Sequence, residues 1–440
     1  MIDWADPLLR RLDRRWQDVL IEIGLRSSGT RLAMAQQPYL MAAEQFTEVS
    51  TAVRAVHAAL ERLATAFAQD RRLHRIFPEY ADLAEIIARL PTYRPLIRVA
   101  RLDGAVNGQG TFRIFDINTA CPGGVLRTPM VVRSYWEIHE PVLTEEFGSG
   151  LRPLWLDEDT FTRELLSCAA AVTGEPVSRA AVVNYRGVYQ TELAEIRSSF
   201  ARNGLSCQLL DATDLINQTD RSTYPQLVYN KVDPVMVAGS PGLRDYLMLQ
   251  SSTWVCSVNP LVAQYITEDK RALAVLSDPH SPLGLDAEER RAVDRHIPWT
   301  RLLHDGEITT PAWEQVSARE FVRRSQNMLI LKRGNSTHGQ GTTIGRLVPA
   351  DQWRSLVDSA ARAGDAVIQE YEPLPTEHVV DPRLPAGRES FLGLDAFVFG
   401  GELVGVRGRA AQDELLPVGQ SGVLRPVLVR PAGDGAREAS

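Results

Sequence analysis

The chain has 440 residues, which is long for one hydrophobic core and implies two or three packed lobes. Its 44% hydrophobic and 23% charged content is that of a soluble globular protein, and a formal net charge of −7 with no basic, aromatic-studded run argues against nucleic acid as a partner. No apolar run approaches the roughly 20 residues that span a bilayer, the N-terminal MIDWADPLLRRLDRRWQDVL lacks a signal-peptide core, and Cys121, Cys168, Cys207 and Cys256 form no CxxC, so reduced thiols in a cytoplasmic protein are expected.

Residues 1–92 read as a helical N-terminal region. Leu8, Leu9, Leu12, Trp16, Leu20 and Ile23 recur at helical spacing, as do Val49, Val53, Val56, Leu60, Leu63 and Phe67. Pro78 to Leu90 predicts a further helix stopped by Pro91. His57 and His74 are isolated and read as structural.

The segment 101–124, RLDGAVNGQGTFRIFDINTACPGG, reads as a β-hairpin turning at Asn107-Gly108-Gln109-Gly110. Strict alternation puts Phe112, Ile114, Asp116 and Asn118 on one parity of its second strand. Arg101 and Asp103 share a parity on the first. Two carboxylates and an amide oxygen then converge beside an arginine. Such a hard-oxygen set suits Mg²⁺, which takes few protein ligands and keeps room for phosphate and water. An ordinary hairpin with a wet polar face fits the same residues.

Met130 to Glu146 and Asp157 to Val172 predict helices. A βαβ-like passage follows: AAVVNY (180–185), a helix over Glu192 to Asn203, CQLLDA (207–212) and QLVYNK (226–231). This predicts a small parallel sheet over 151–260. Its first turn, Arg186-Gly187-Val188-Tyr189, is no GxGxxG. Lys231 and Asp233, at a strand's carboxyl end, are pocket candidates, although a plain strand-end turn explains them too. TWVCSVNP (253–260) predicts another strand, and Lys270 opens a helix. A lysine there has the wrong sign for the helix dipole, although Glu268 and Asp269 could neutralise it. Helices are predicted over 288–294 and 313–324.

NMLILKRGNSTHGQGTTIGRLV (327–348) predicts a buried strand ending in Lys332, then a loop with Gly334, Gly339, Gly341 and Gly345. Such a loop lets backbone N–H groups approach phosphate oxygens. No GK[ST] occurs, so it is not a Walker A loop. A helix over 351–363 and a strand AVIQEYEP (366–373) follow. FLGLDAFVFGGELVGVRGRAA predicts a hairpin around Gly400-Gly401, with Arg407 and Arg409 on one face of its second strand, either to meet an anion or as two exposed arginines of an edge strand. Residues 431–440 read as a disordered tail.

Arg-x-Asp on one strand and Asp-x-Asn on the next, closing on a Pro/Gly turn, resembles the metal-binding hairpin of the glutathionylspermidine synthetase-like family, which are ATP-grasp ligases of circularly permuted order. The family usually has Glu where this chain has Asp116. The resemblance implies an α/β (α+β) ATP-grasp fold of permuted order, with the helical N-terminal region and a small Rossmann-like domain. It divides the chain into the helical region 1–92, a metal-binding hairpin at 93–150, the Rossmann-like domain at 151–260, nucleotide-binding lobes at 261–430 and the tail.

The resemblance makes Asp103, Asp116 and Asn118 the Mg²⁺ ligands. It makes Lys270 and Lys332, with Gly339, Gln340 and Gly341 of the loop and Gln369, Glu370 and Tyr371 of the hinge strand, the ATP ligands. Arg101, and one of Arg407 and Arg409, would stabilise the charge of the reacting carboxylate. The implied activity is ATP-dependent joining of a carboxylic acid to an amine through an acyl phosphate. Neither nucleic acid nor membrane is an expected partner, and a homodimer is left open. A carboxylate kinase or another phosphotransferase, or a non-catalytic nucleotide-binding protein, would share the same features.

Overall fold

The computed structural model describes residues 4, 6–25, 33–88, 94–186, 190–218, 220, 222–232, 244–249, 255–334, 341–381, 384–416 and 422–431. The expected stop at Pro91, Asp233, the loop residues Gly339 and Gln340, and the tail from 432 onward lie outside them.

In chain order, helix α1 (Pro7–Glu22) is started by Asp6, whose carboxylate accepts from the Leu8 amide at 2.7 Å, with Pro7 at its first position. A short strand β1 (Ala33–Met34) precedes the long helix α2 (Ala43–Phe67). The expected helix after Pro78 forms as one 3₁₀ segment (Pro78–Leu83) followed by a single α-turn (Ala84–Ala88). The hairpin is β2 (Val99–Val106) and β3 (Phe112–Asn118). Helices α3 (Arg127–Phe147) and α4 (Thr160–Thr173) lead to β4 (Arg179–Asn184), α5 (Gln190–Arg202), β5 (Ser206–Asp211), β6 (Leu227–Asn230) and β7 (Cys256–Val258). Then come α6 (Leu261–Glu268), α7 (Arg271–Ser277), α8 (Ala287–His296), β8 (Thr300–Leu302), β9 (Leu329–Arg333), β10 (Thr342–Ile344), α9 (Ala350–Ala363) and β11 (Ala366–Glu370). The chain closes with β12 (Thr376–Asp381), β13 (Leu384–Phe399), β14 (Glu402–Ala411) and β15 (Val423–Arg425).

Three sheets position the site. The largest runs β1-β15-β14-β13-β2-β3, with β12 paired to β13. The hairpin of residues 99–118 is therefore extended by the C-terminal strands, and one sheet spans the expected 93–150 and 261–430 segments. The second sheet, β5-β4-β6-β7, is parallel throughout. Its inner strands β4 and β6 are almost wholly buried, whereas the edge strand β5 (SCQLLD) is partly exposed. The third, β8-β11-β9-β10, is antiparallel and carries the glycine-rich segment.

The apolar stripe of α2 (Val49, Val53, Val56, Leu60, Leu63, Phe67) is fully buried, in one cluster with Leu102, Ile114 and Ile117 of the hairpin and Leu394 of β13. The two isolated histidines are structural: His57 meets the Ile97 carbonyl at 2.8 Å and His74 the Phe67 carbonyl at 2.7 Å. The β8–β11 sheet packs its own core, with Trp353 of α9 against Leu331 and Ile368. The helix expected over 313–324 is confined to Ala318–Arg324. Before it, Gln315–Ser317 pairs with Glu307–Thr309, and Trp313 takes φ 64° in the turn between them, which ends helical geometry there.

Candidate active site at the junction of the hairpin and the β8–β11 sheet

The hairpin register pairs Arg101 with Asn118, Leu102 with Ile117 and Asp103 with Asp116, then shifts so that Gly104 faces Ile114. Phe115 is the extra residue of a β-bulge. This corrects the simple alternation. Phe112, Ile114 and Ile117 face the core, while Asp116 and Asn118 lie on the opposite face. Gly104 permits the bulge. A Cβ there would lie 2.1 Å from the Arg113 carbonyl oxygen, a contact only glycine avoids. Asn259, just after β7, fixes both strands at their open end. Its amide accepts from the Arg98 and Val99 amides at 2.8 and 3.1 Å, and donates to the Val99 and Thr119 carbonyls at 2.7 and 2.8 Å.

The polar face of the hairpin carries a buried arginine–aspartate cluster. Arg101 Nε and Nη2 donate to the two oxygens of Asp103 at 2.7 and 3.0 Å, and its Nη1 donates to the Gly123 carbonyl at 3.1 Å. Asp395 of β13 is the cross-strand partner of both Asp103 and Arg407. Arg407 Nε donates to Asp395 Oδ2 at 2.9 Å, and Arg409 Nε lies 2.7 Å from Oδ1. Arg409 also stands 3.7 Å from Asp103. Burial would push the Asp395 carboxyl up, but Arg409, Arg407 and Arg101 together hold it below the usual carboxylate range. Burial pushes the Asp103 carboxyl up against the pull of Arg101, and Asp395 adds to that push. Three guanidiniums thus face two carboxylates, leaving one positive charge in excess.

On the same polar face, toward the β8–β11 sheet, two lysines meet Asp116. Lys332, near the end of β9, donates to the carbonyl of the bulged Phe115 and to Gln369 Oε1, both at 2.7 Å. Gln369 of β11 is held in turn by donating to Thr300 Oγ1 of β8 at 3.0 Å. Lys270 sits at the N-cap of α7, donates its backbone N–H to the Gly334 carbonyl at 3.0 Å, and forms an ion pair through Nζ with Asp116. That pairing answers the unfavourable helix dipole. Glu268, at the end of α6, accepts from the Thr119 amide at 2.8 Å and from the Ala120 amide. Burial lowers Lys332 to about 8, with Asp116 opposing and Lys270 reinforcing the shift. Burial would also lower Lys270, but Asp116 and Glu268 outweigh it and raise it. Burial would raise Asp116, yet Lys270 and Lys332 hold it below its ordinary value.

The structure therefore brings Arg101, Asp103, Asp116, Asn118, Lys270, Lys332, Gln369, Arg407 and Arg409 together over the polar face of one bulged hairpin. Tyr371 is occupied elsewhere: its hydroxyl donates to Glu414 at 3.0 Å and accepts from Arg346 at 2.7 Å. The amides of Glu370 and Tyr371 are taken by the Trp299 and Met328 carbonyls at 2.8 and 2.7 Å. Gly341, at φ 74°, accepts from the Arg333 amide through its carbonyl at 3.1 Å. Lys231 is buried, bonded to Glu192 at 2.9 Å and to the Cys121 carbonyl at 3.0 Å.

Among the described residues no group of three His, Cys, Asp or Glu side chains could hold a metal. The hairpin supplies two carboxylates and one amide instead. That donor set fits Mg²⁺, whose remaining positions go to phosphate and water. Both Asp103 oxygens bind Arg101, so the more available carboxylate is Asp116, with a side chain 34% exposed.

Sequence reasoning missed Asp395 and Asn259. Asp395 is a single acid within the apolar run FLGLDAFVF, and an acid that interrupts such a run needs a buried cation. That was the available signal. Asn259 carries none.

No family model matches the chain, and no curated protein matches it in sequence. Among solved structures, a glutathione synthetase-like effector from Globodera pallida superposes with a TM-score of 0.66 at 13% identity, covering 96% of this chain and 97% of that one. D-cycloserine synthetase gives a TM-score of 0.28 at 15% identity, over 44% of this chain and 59% of that chain. The first likeness is one of fold: a mixed α/β, ATP-grasp-like architecture over nearly the whole chain.

Proposed function

We propose that the protein is an ATP-dependent carboxylate–amine ligase of the permuted, glutathionylspermidine synthetase-like kind, forming an amide and releasing ADP and phosphate. The observation that carries this reading is the meeting of Lys270, Lys332 and Asp116 where the bulged hairpin abuts the β8–β11 sheet. Two buried ammonium groups beside one carboxylate suit a polyanion. The hairpin also precedes the β8–β11 sheet in the chain, the order the family resemblance implies. The cytoplasm, with its ATP and reduced thiols, is the compartment that goes with this activity.

In this reading Lys270 and Lys332 bind the phosphate chain, and Gln369 keeps Lys332 aimed at it. Asp116 and Asn118, with Asp103, would hold Mg²⁺, which would neutralise charge on the phosphates. A substrate carboxylate oxygen attacks the γ-phosphorus, the bond to the β-phosphate oxygen breaks, and ADP leaves with the electron pair. The amine nitrogen then adds to the carbonyl carbon of the acyl phosphate and loses a proton, and the carbon–oxygen bond to phosphate breaks. Alignment and charge neutralisation dominate such phosphoryl transfer. Arg101, with Arg407 and Arg409 behind it, stabilises the developing oxyanion, an effect worth about 3 kcal/mol for one donor. The loop around Gly339, Gln340 and Gly341 shields the acyl phosphate from water, and the strand Gln369–Tyr371 lies along the nucleotide base.

The test is ATP turnover by the purified protein with Mg²⁺ against pools of acids and amines. ADP and phosphate formed only with an acid–amine pair, and lost in Asp116→Ala and Lys332→Ala, is the expected result. AMP and pyrophosphate would overturn the acyl-phosphate route. ADP formed with the acid alone would mark a carboxylate kinase.

A further inference from the structure

Beside the arginine cluster lies a pocket of about 240 Å³ that the reaction scheme above leaves unassigned. Its charged lining is Arg101, Arg127, Arg407 and Arg425, with Glu192 as the one acid. Its body is lined by Leu25, Met34, Val131, Val132, Leu424 and Pro426. The backbone of Gly123 and Gly124 forms the rim. Gly124, at φ 93°, has no Cβ where one would lie 2.5 Å from Arg407 Nη1, so this guanidinium can pass close to the chain and reach the pocket. The rim is fixed from both sides. Gly123 accepts from Arg101 at 3.1 Å, and the Gly124 amide donates to Glu192 at 3.0 Å.

We infer that this pocket binds the acid substrate, and that the acid is a small monocarboxylate with an apolar body. The inference deepens the ligase reading and rests on it for the word substrate.

Two observations point the same way. First, Arg101, Arg407 and Arg409 outnumber Asp103 and Asp395 by one charge, with all three arginine side chains at most 16% exposed. Three buried guanidiniums that share two carboxylates keep donors and positive charge for an arriving carboxylate. Second, the remainder of the pocket offers aliphatic carbon. Arg127 is already paired with Glu195 at 2.9 Å. Glu192 is held by Lys231 and by the Gly124 amide. Arg425 is bonded to the Gln37 and Pro38 carbonyls at 3.1 and 2.9 Å and to Glu377 at 2.7 Å. Those groups are committed to the protein, so a polar substrate tail would lose its hydration with little in return. At ~30 Å³ for a water-sized group, the pocket takes about eight such groups, which is a body of leucine or phenylalanine size.

The test is equilibrium binding of butanoate, pentanoate, 4-methylpentanoate, 3-phenylpropanoate and succinate, by calorimetry on the full chain with ADP and Mg²⁺ present. Each further buried methylene should tighten binding about fourfold, so 4-methylpentanoate should bind about fifteenfold tighter than butanoate. Succinate should bind weakest. Val131→Thr, which puts a hydroxyl on the pocket wall, should weaken 4-methylpentanoate a few-fold and lower the melting temperature somewhat, while leaving ADP binding unchanged. A flat series, no binding by any monocarboxylate, or succinate as the tightest ligand would overturn the inference. If ADP with Mg²⁺ itself fails to bind, the ligase reading falls instead, and the acid series still decides the pocket.

Discussion

Lys332 makes the charge logic of the site measurable through pH. Burial lowers its ammonium from the usual 10.5 to about 8, with Asp116 only partly offsetting that cost. If only the charged form binds phosphate, the apparent Kd for nucleotide scales as one plus ten to the power of pH minus pKa. Between pH 7 and pH 9 this weakens binding about tenfold. The neighbours do not interfere in that window. Lys270 is raised and stays charged, and Asp116 is lowered and stays ionised. Binding should also take up about half a proton at pH 8, visible as a dependence of the calorimetric enthalpy on buffer. Lys332→Arg, charged at every accessible pH, should bind more weakly but with a flat profile. The sign for stability follows from the same shift. The folded value lies below the unfolded one, so the unfolded chain holds more protons between pH 8 and about 10.5 and the ligand-free fold gains stability across that range. Relative to Lys332→Met, the gain is up to about 3 kcal/mol. Nucleotide affinity that stays flat from pH 7 to 9 in the natural protein, or that falls equally in Lys332→Arg, would refute the reasoning.

Two further outcomes test the scaffold. Asp395→Ala leaves three buried guanidiniums with Asp103 alone, and should cost about 3–5 kcal/mol in urea unfolding. Because Asp395 is held below the carboxylate range, its contribution is present above the unfolded pKa of about 4 and fades as the pH falls through its folded value. A cost under about 1 kcal/mol would mean that the cluster is not a charge network. Gly104→Ala places a methyl group 2.1 Å from the Arg113 carbonyl oxygen. It should cost about 2 kcal/mol or more and weaken nucleotide binding, since the bulge aims both Asp116 and the Phe115 carbonyl. The control is Gly108→Ala, where a Cβ meets nothing within 4 Å. A melting temperature equal in the two variants would dispose of the bulge argument.

Much of this was already legible in the sequence. The stripe of α2 is read directly from helical spacing, because burying one face of a helix needs an apolar residue every three or four positions whatever it packs against. The parallel sheet over β4 to β7 is legible from short β-rich runs alternating with a helix, which argue for parallel strands joined by a crossover. Lys332 at a strand end ahead of a glycine-rich run needs only local reading. Only the tertiary structure decided which faces meet. A count of two residues per face cannot register a one-residue bulge, whose place depends on how closely Gly104 approaches Arg113 across the ladder. Nor can it show that Asp395, far along the chain, becomes the cross-strand neighbour of Asp103 and the counterion of Arg407 and Arg409. Lys270 reads locally as an awkward helix cap. Its role comes from Asp116, 154 residues earlier in the chain. Local pattern reports what a residue needs, and long-range packing decides which partner supplies it, because a buried charge is stabilised by whatever lies within a few ångströms and not by its neighbours in sequence.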